Sequence, residues 1–284
     1  MSTRIETFLL QGDGSGSVLH TALEDVAGPG RPGGELDCLF LFSLGAKHEC
    51  LLDAVTASAV RCPVYLSETY GILGFDRDLG KNIELMEKGR GSEYGCCGGA
   101  GGQGTVVVAF RGGGMVGTHG EMPEHATSVL VISDDSSQGL PKLPCLLYGG
   151  VTKANYQLRE GKFERVNDLF LASISPDTHS VAVATVESDI AHAVEELAGK
   201  IPKSHQASGV VGLFPCFTRG INAFDRDHVE PDAVSDKIPS CRIFGMFVHG
   251  ELGPPSGAGG AVFAASSAAS IQVVPFPLRL LASK

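Results

Sequence analysis

Tryptophan is absent, and only 7% of the 284 residues are aromatic. The stacking platforms that hold single-stranded nucleic acid are therefore scarce. Positive charge is in deficit as well: 22 Lys and Arg face 32 Asp and Glu, a formal net charge of −10. A nucleic-acid surface needs a positive field, so no nucleic-acid partner is expected. No apolar run approaches the roughly 18 residues of a membrane span, so no membrane partner is expected either. The first ten residues hold Arg4 and a short apolar stretch, a pattern that excludes a secretory signal. The eight cysteines contain no CxxC pair, and Cys96 and Cys97 are adjacent. A structural zinc site wants two ligand pairs, each spaced by roughly two to four residues. No metal and no cofactor are expected, and the thiols read as reduced side chains of a cytoplasmic or nuclear protein.

What is present is glycine. There are 38, many of them between Gly89 and Gly120, and hydrophobic residues make up 43% of the chain. This is enough apolar material for a sizeable core, with long irregular loops between the elements. Thr7–Leu10 is followed by a Gly12–Ser17 turn, and then by Val18, Leu19, Ala22, Leu23 and Val26, one face of a helix. The opening reads strand, glycine turn, helix. That order invites a phosphate reading, but no acidic residue closes a second strand and no Gly-Lys-Ser/Thr follows, so a plain tight turn is favoured.

Leu39–Leu44 is a continuous apolar run, as in a strand buried on both faces. Leu51, Leu52, Val55 and Ala59 mark a helix, and Pro63–Leu66 another strand. Thr105–Phe110, Val129–Ile132, Cys145–Tyr148, Leu169–Ser173, Val181–Val186 and Gly209–Phe214 read as strands, and Asn155–Val166 as a hairpin. Ile190–Leu197 reads as a helix, and so does Glu230–Lys237, opened by Pro231. Arg242–Val248, Ala261–Ala264 and Ile271–Val274 complete the strands.

Cys62–Gly74 (CPVYLSETYGILG) and Cys241–Gly253 (CRIFGMFVHGELG) align without gaps. They share the Cys, the glycines at 71/250 and 74/253, and the Leu at 73/252. Each reads as a strand running into a glycine corner. A corner of this kind exposes backbone N–H groups and short side chains, and ligands in open α/β sheets favour the crevice at strand ends.

The chemistry-bearing residues lie at these corners. Cys216 follows an apolar strand and sits three residues before Arg219, whose guanidinium would favour a thiolate. Arg219 and Glu251 would form a bidentate ion pair if their strands are neighbours. His249 precedes Gly250-Glu251. A Cys216–His249 couple would be a nucleophile and base, with corner N–H groups as an oxyanion hole. Ser67, Thr69 and Tyr70 occupy the equivalent place in the first segment. The run Asp225, Arg226, Asp227, His228 and Glu230 reads as a solvated face. His119 and His125 read as incidental loop residues.

The strand ending in Cys216-Phe-Thr-Arg219-Gly220, followed by Phe244-Gly245-Met-Phe247 and Gly250-Glu251-Leu-Gly253, resembles the C-terminal motif of the FIST family (F-box and intracellular signal transduction). That family carries a Cys-x-x-Arg strand end, then Gly-Phe-Phe and a Gly-Glu-Ile corner. Leu39–Ser43, a helix and Val64–Gly71 resemble its N-terminal half, whose corner reads Gly-Cys-Ser-Thr-x-Gly-Glu. Ile72 stands here where the family has Glu, and Ser67-Glu68 interrupts its Ser-Thr pair. The resemblance runs from residue 5 to residue 253. It implies sensing of small ligands such as amino acids, as in bacterial signalling members, or recruitment of a protein partner, as in F-box members.

The expected fold is α/β (α+β): two related halves, 1–165 and 166–284, each a mixed sheet flanked by helices, packed around a shared cleft. The expected function is binding of a small polar ligand or a protein partner. The expected site is Cys216, Arg219, Gly220, His249, Gly250, Glu251 and Gly253 with Ser67, Thr69 and Tyr70. The rival reading is an enzyme with Cys216 as nucleophile and His249 as base.

Overall fold

The computed structural model describes residues 4–12, 17–28, 35–87, 102–111, 114–117, 128–134, 146–173, 210–217, 219–220, 227–239, 241–253, 262–264 and 269–274, with Ala191, Val194, Glu195, Ala198 and Gly199. The chain has a mixed α/β fold. In order, the elements are β1 (Arg4–Gln11), α1 (Ser17–Ala27), β2 (Leu36–Leu44), α2 (His48–Ala57), β3 (Val64–Glu68), β4 (Gly71–Asp76), β5 (Lys81–Met86), β6 (Gly104–Arg111), β7 (Gly114–Gly117), β8 (Ser128–Ser133), β9 (Leu146–Val151), β10 (Ala154–Arg159), β11 (Lys162–Val166), β12 (Asp168–Ser173), β13 (Val210–Pro215), α3 (Val229–Lys237), β14 (Arg242–Phe247), β15 (Glu251–Gly253), β16 (Val262–Ala264) and β17 (Ala269–Val274).

Eleven strands form one large mixed sheet in the order β11-β10-β3-β2-β6-β1-β4-β14-β13-β17, with β5 also paired to β4. Six more form a second sheet, β16-β15-β9-β8-β12-β7. Two parallel pairs, each with a helix between its strands in sequence, recur: β2–α2–β3 and β13–α3–β14. The antiparallel pairing of β14 with β4, from Phe244 opposite Gly74 to Phe247 opposite Gly71, joins them into one sheet.

The apolar pattern explains this layering. β2 reads LDCLFLFSL and is buried from Leu39 through Leu44, because both faces of its sheet are covered. One face, with Phe40 and Phe42, packs against Leu130, Ile132 and Tyr148 of the second sheet. The other, with Leu39 and Leu41, packs under α1 and α2. Helix α1 buries Leu19, Ala22, Leu23 and Val26, the i, i+3, i+4, i+7 stripe of an amphipathic helix. Val18, expected on that stripe, is instead 58% exposed at the helix start. A third cluster, with Val211, Leu213, Ile243 and Phe247, lies under α3.

Two sequence expectations are corrected. The glycine corner expected at residues 71–74 is strand β4, paired with both β5 and β14. Gly71 is there for space and not for a turn: a Cβ would stand 2.7 Å from Phe247 Cδ2 and 2.8 Å from the Leu85 carbonyl. The charge run leading into α3 is not wholly a solvated face: Glu230 is fully buried and Asp227 and His228 are half-buried, while Asp225 and Arg226 lie outside the described residues. Arg219 pairs with that Glu230, while the side chain of Glu251, its expected partner, lies outside the described residues. The hairpin expected at 155–166 is present as β10 and β11, turning through Glu160 and Gly161 at φ 47° and 77°. The strand expected at 181–186, Cys96, Cys97, His119, His125 and most of 89–120 lie outside the described residues. Among the described residues, no helix is long and apolar enough to cross a membrane.

Candidate functional site

The two corners that echo each other in sequence meet in space. Thr69 N–H donates to the Ser43 carbonyl, so the chain after β3 closes onto the end of β2. The second unit repeats the closure: Val248 N–H donates to the Pro215 carbonyl and Phe217 N–H to the Val248 carbonyl, with Cys216 bridged to Val248. Tyr70 and His249 hold equivalent places in the two segments. Their rings lie 6.2 Å apart, with the Phe217 ring 5.2 Å from Tyr70 and 5.1 Å from His249. These spacings are those of tilted aromatic packing. Cys216, Phe217 and Tyr70 are half-buried and His249 is exposed. Gly250, at φ +118°, makes the bend possible. Its carbonyl accepts the Val151 N–H, and the Val151 carbonyl accepts the His249 N–H, tying this corner to the end of β9.

Beside this triad opens a pocket of about 460 Å3 at the C-terminal ends of the parallel strands β2 and β3. Such strand ends are where α/β sheets hold ligands. Ser43, Gly45, Glu68, Thr69, Glu87, Gln103 and Lys153 are among the lining residues. Lys153 closes one side. Its Nζ is 2.5 Å from Glu87 Oε2 and 5.0 Å from the centre of the Tyr70 ring, so it borders both the pocket and the triad. Glu68 lies 2.7 Å from His48 Nε2, close but out of hydrogen-bond alignment. His48 opens α2, and Lys47 at its cap makes no side-chain capping bond. Uncapped first-turn N–H groups attract negative charge. The pocket thus carries both signs: carboxylates at Glu68 and Glu87 and an ammonium at Lys153, while the first turn of α2 nearby already holds Glu49.

The predicted residues divide into two sets. Tyr70, Cys216, His249 and Gly250 come together at the surface, and Thr69 lines the pocket. Ser67, Arg219 and Gly220 are interior. Ser67 is fully buried and donates to Asn155 Oδ1 at 2.8 Å. Arg219 is 3% exposed, with its Nε 3.0 Å from Glu230 Oε1. The backbones of Glu251 and Gly253 pair in the second sheet, with Ala264 and Val262. Most of the pocket escaped the sequence reading. Lys153 lies 84 residues from Thr69 and arrives through β10, whose pairing with β3 nothing local in the sequence announces. The Gly45 that ends β2 ahead of a helix was the one available signal.

No protein-family model matches this chain, and no curated protein matches it.

Proposed function

We propose that this chain is an intracellular binding module that takes a small polar ligand into the pocket formed by β2, β3 and Lys153. The observation that carries this reading is the two-signed lining at paired strand ends. Lys153 suits a carboxylate, and Glu68 and Glu87 suit an ammonium group, so a small zwitterion matches both. The Lys153–Glu87 pair is half-exposed, and surface pairs of this kind contribute at most about 1 kcal/mol. Lys153 can therefore exchange Glu87 for a ligand carboxylate at little cost. The FIST resemblance of the corners agrees with this reading, since it implies ligand sensing.

The Tyr70–Phe217–His249 triad supports a second, compatible role. It is a partly exposed aromatic surface joined to the pocket through Lys153, and it suits recognition of a protein partner.

Melting curves with a panel of free amino acids, simple amines and simple organic acids test the proposal. A zwitterion at 100 times its Kd adds about 2.7 kcal/mol, and Lys153→Met abolishes the rise in melting temperature. The reading fails if native mass spectrometry finds no bound small molecule and no compound in the panel raises the melting temperature.

A further inference from the structure

Beneath the 216–220 corner lies a charge cluster that takes no part in the pocket. Arg219 holds Glu230 of α3, and Glu84 of β5, 3% exposed, reaches the same place. A Cβ on Gly220 would stand 3.2 Å from Glu84 Oε1 and 2.4 Å from Met86 Sδ, so the backbone of the corner rests on that carboxyl. Two carboxyls and one guanidinium share a dry site, and with both acids ionised it would hold an uncompensated negative charge. No well-aligned hydrogen bond reaches either oxygen of Glu84, or Oε2 of Glu230, among the described residues, although the nearby His228 backbone N–H works to lower the Glu84 carboxyl. The two carboxyls can bond each other only through a proton. Burial, and then the charge of Glu230, push the Glu84 carboxyl up to about 9. At neutral pH Glu84 therefore carries the proton and donates it toward Glu230, which in turn holds Arg219.

We infer that Glu84, Glu230 and Arg219 form a proton-held latch that fastens α3 and the 216–220 corner to β5, and that loss of the shared proton opens this region around Cys216 and Phe217. Charged groups from each neighbouring element bear on it. Glu230 comes from α3, Arg219 from the corner, and Asp227 and His228 from the approach to α3, where Asp227 raises Glu84 further. His228 Nδ1 accepts the Glu84 N–H at 3.1 Å. Burial lowers the His228 pKa, which keeps that nitrogen free to accept, while Asp232 of α3 and Lys81 of β5 act on it in opposite directions.

Glu84 is raised above its unfolded value, so its contribution is whole below the ordinary carboxyl range and is lost as pH climbs toward about 9. Melting temperature followed from pH 6 to 10 tests the latch in the whole chain. The wild type should lose stability steadily to about pH 9 and then level off. Glu84→Gln, whose amide donates at every pH, should give a flatter curve. Hydrogen exchange on the wild type, corrected for intrinsic rates, supplies a second readout that needs no variant. Amides of α3 and β14 should lose protection between pH 7 and 9.5 while those of β2 and β6 keep theirs. Parallel melting curves for the two proteins, or a uniform loss of protection, would overturn the latch.

Discussion

Asn155 illustrates what a single buried polar side chain does in this fold. It is fully buried, and its amide makes all four of its hydrogen bonds. Oδ1 accepts from Ser67 and Thr152, and Nδ2 donates to the carbonyls of Ile132 and Asn167. Ile132 belongs to the second sheet and Ser67 to the first, so this one side chain spans the two. Asn155→Ala should cost roughly 3 kcal/mol, because several polar partners lose their bonds inside the core. Asn155→Asp should cost more, since a carboxylate would face two carbonyl oxygens. Urea unfolding measures both, and a midpoint unchanged in Asn155→Ala would refute the role. Nothing in the sequence marked Asn155, which reads there as one polar residue of a hairpin. Ser67 drew notice for its hydroxyl, but the pleat turns that hydroxyl inward to Asn155. A residue's chemistry is legible from sequence; the face on which a strand presents it depends on pairing 88 residues away.

At the scale of elements, strong periodicity carried well. Helix α1, helix α2 and strand β2 follow their apolar patterns, and α3 was legible from Pro231, although its sequence VEPDAVSDK is mostly polar. Part of its seat is polar as well, beside the apolar cluster: Asn82 of β5 donates to Ser235 Oγ and the Cys241 carbonyl and accepts the Ile243 N–H. Strand β5, KNIELM, was not legible, because its buried Asn82 and Glu84 interrupt the continuous apolar run that marks a strand covered on both faces. Strand β4 was mistaken for a corner because its glycines mimic turn chemistry. The close approach at Gly71 gives an element-scale prediction. Gly71→Ala should push β4 away from Phe247 and the Leu85 carbonyl, at a cost of about 2–3 kcal/mol. It should also raise hydrogen exchange in β5 and β14 before β10 and β11. If the melting temperature of this variant matches the wild type, the seam has room that the geometry denies it.

At the scale of the molecule, the repeated sequence segments do not correspond to two separate sheets. Each segment supplies the second strand of a parallel pair, β3 or β14, whose first strand and helix precede it in sequence, and the pairing of β4 with β14 makes them one surface. A cut between residues 165 and 166 would sever that surface at several places at once. β14 would lose β4, β12 would lose β8, and β15 would lose β9. Each cut leaves an unpaired strand edge beside a core built to be covered, the condition under which strands associate with the wrong partner. The aromatic triad would be split too, with Tyr70 in one piece and Phe217 and His249 in the other. Residues 1–165 and 166–284, expressed separately, should therefore each aggregate or lack a cooperative melting transition. Expressed together, they should be recovered as a one-to-one complex that melts as one unit. Size-exclusion chromatography and calorimetry decide the matter. A monomeric, cooperatively melting 1–165 fragment would mean that β4 and β8 manage without their partners, and that the triad joins two finished bodies and does not cap a single sheet.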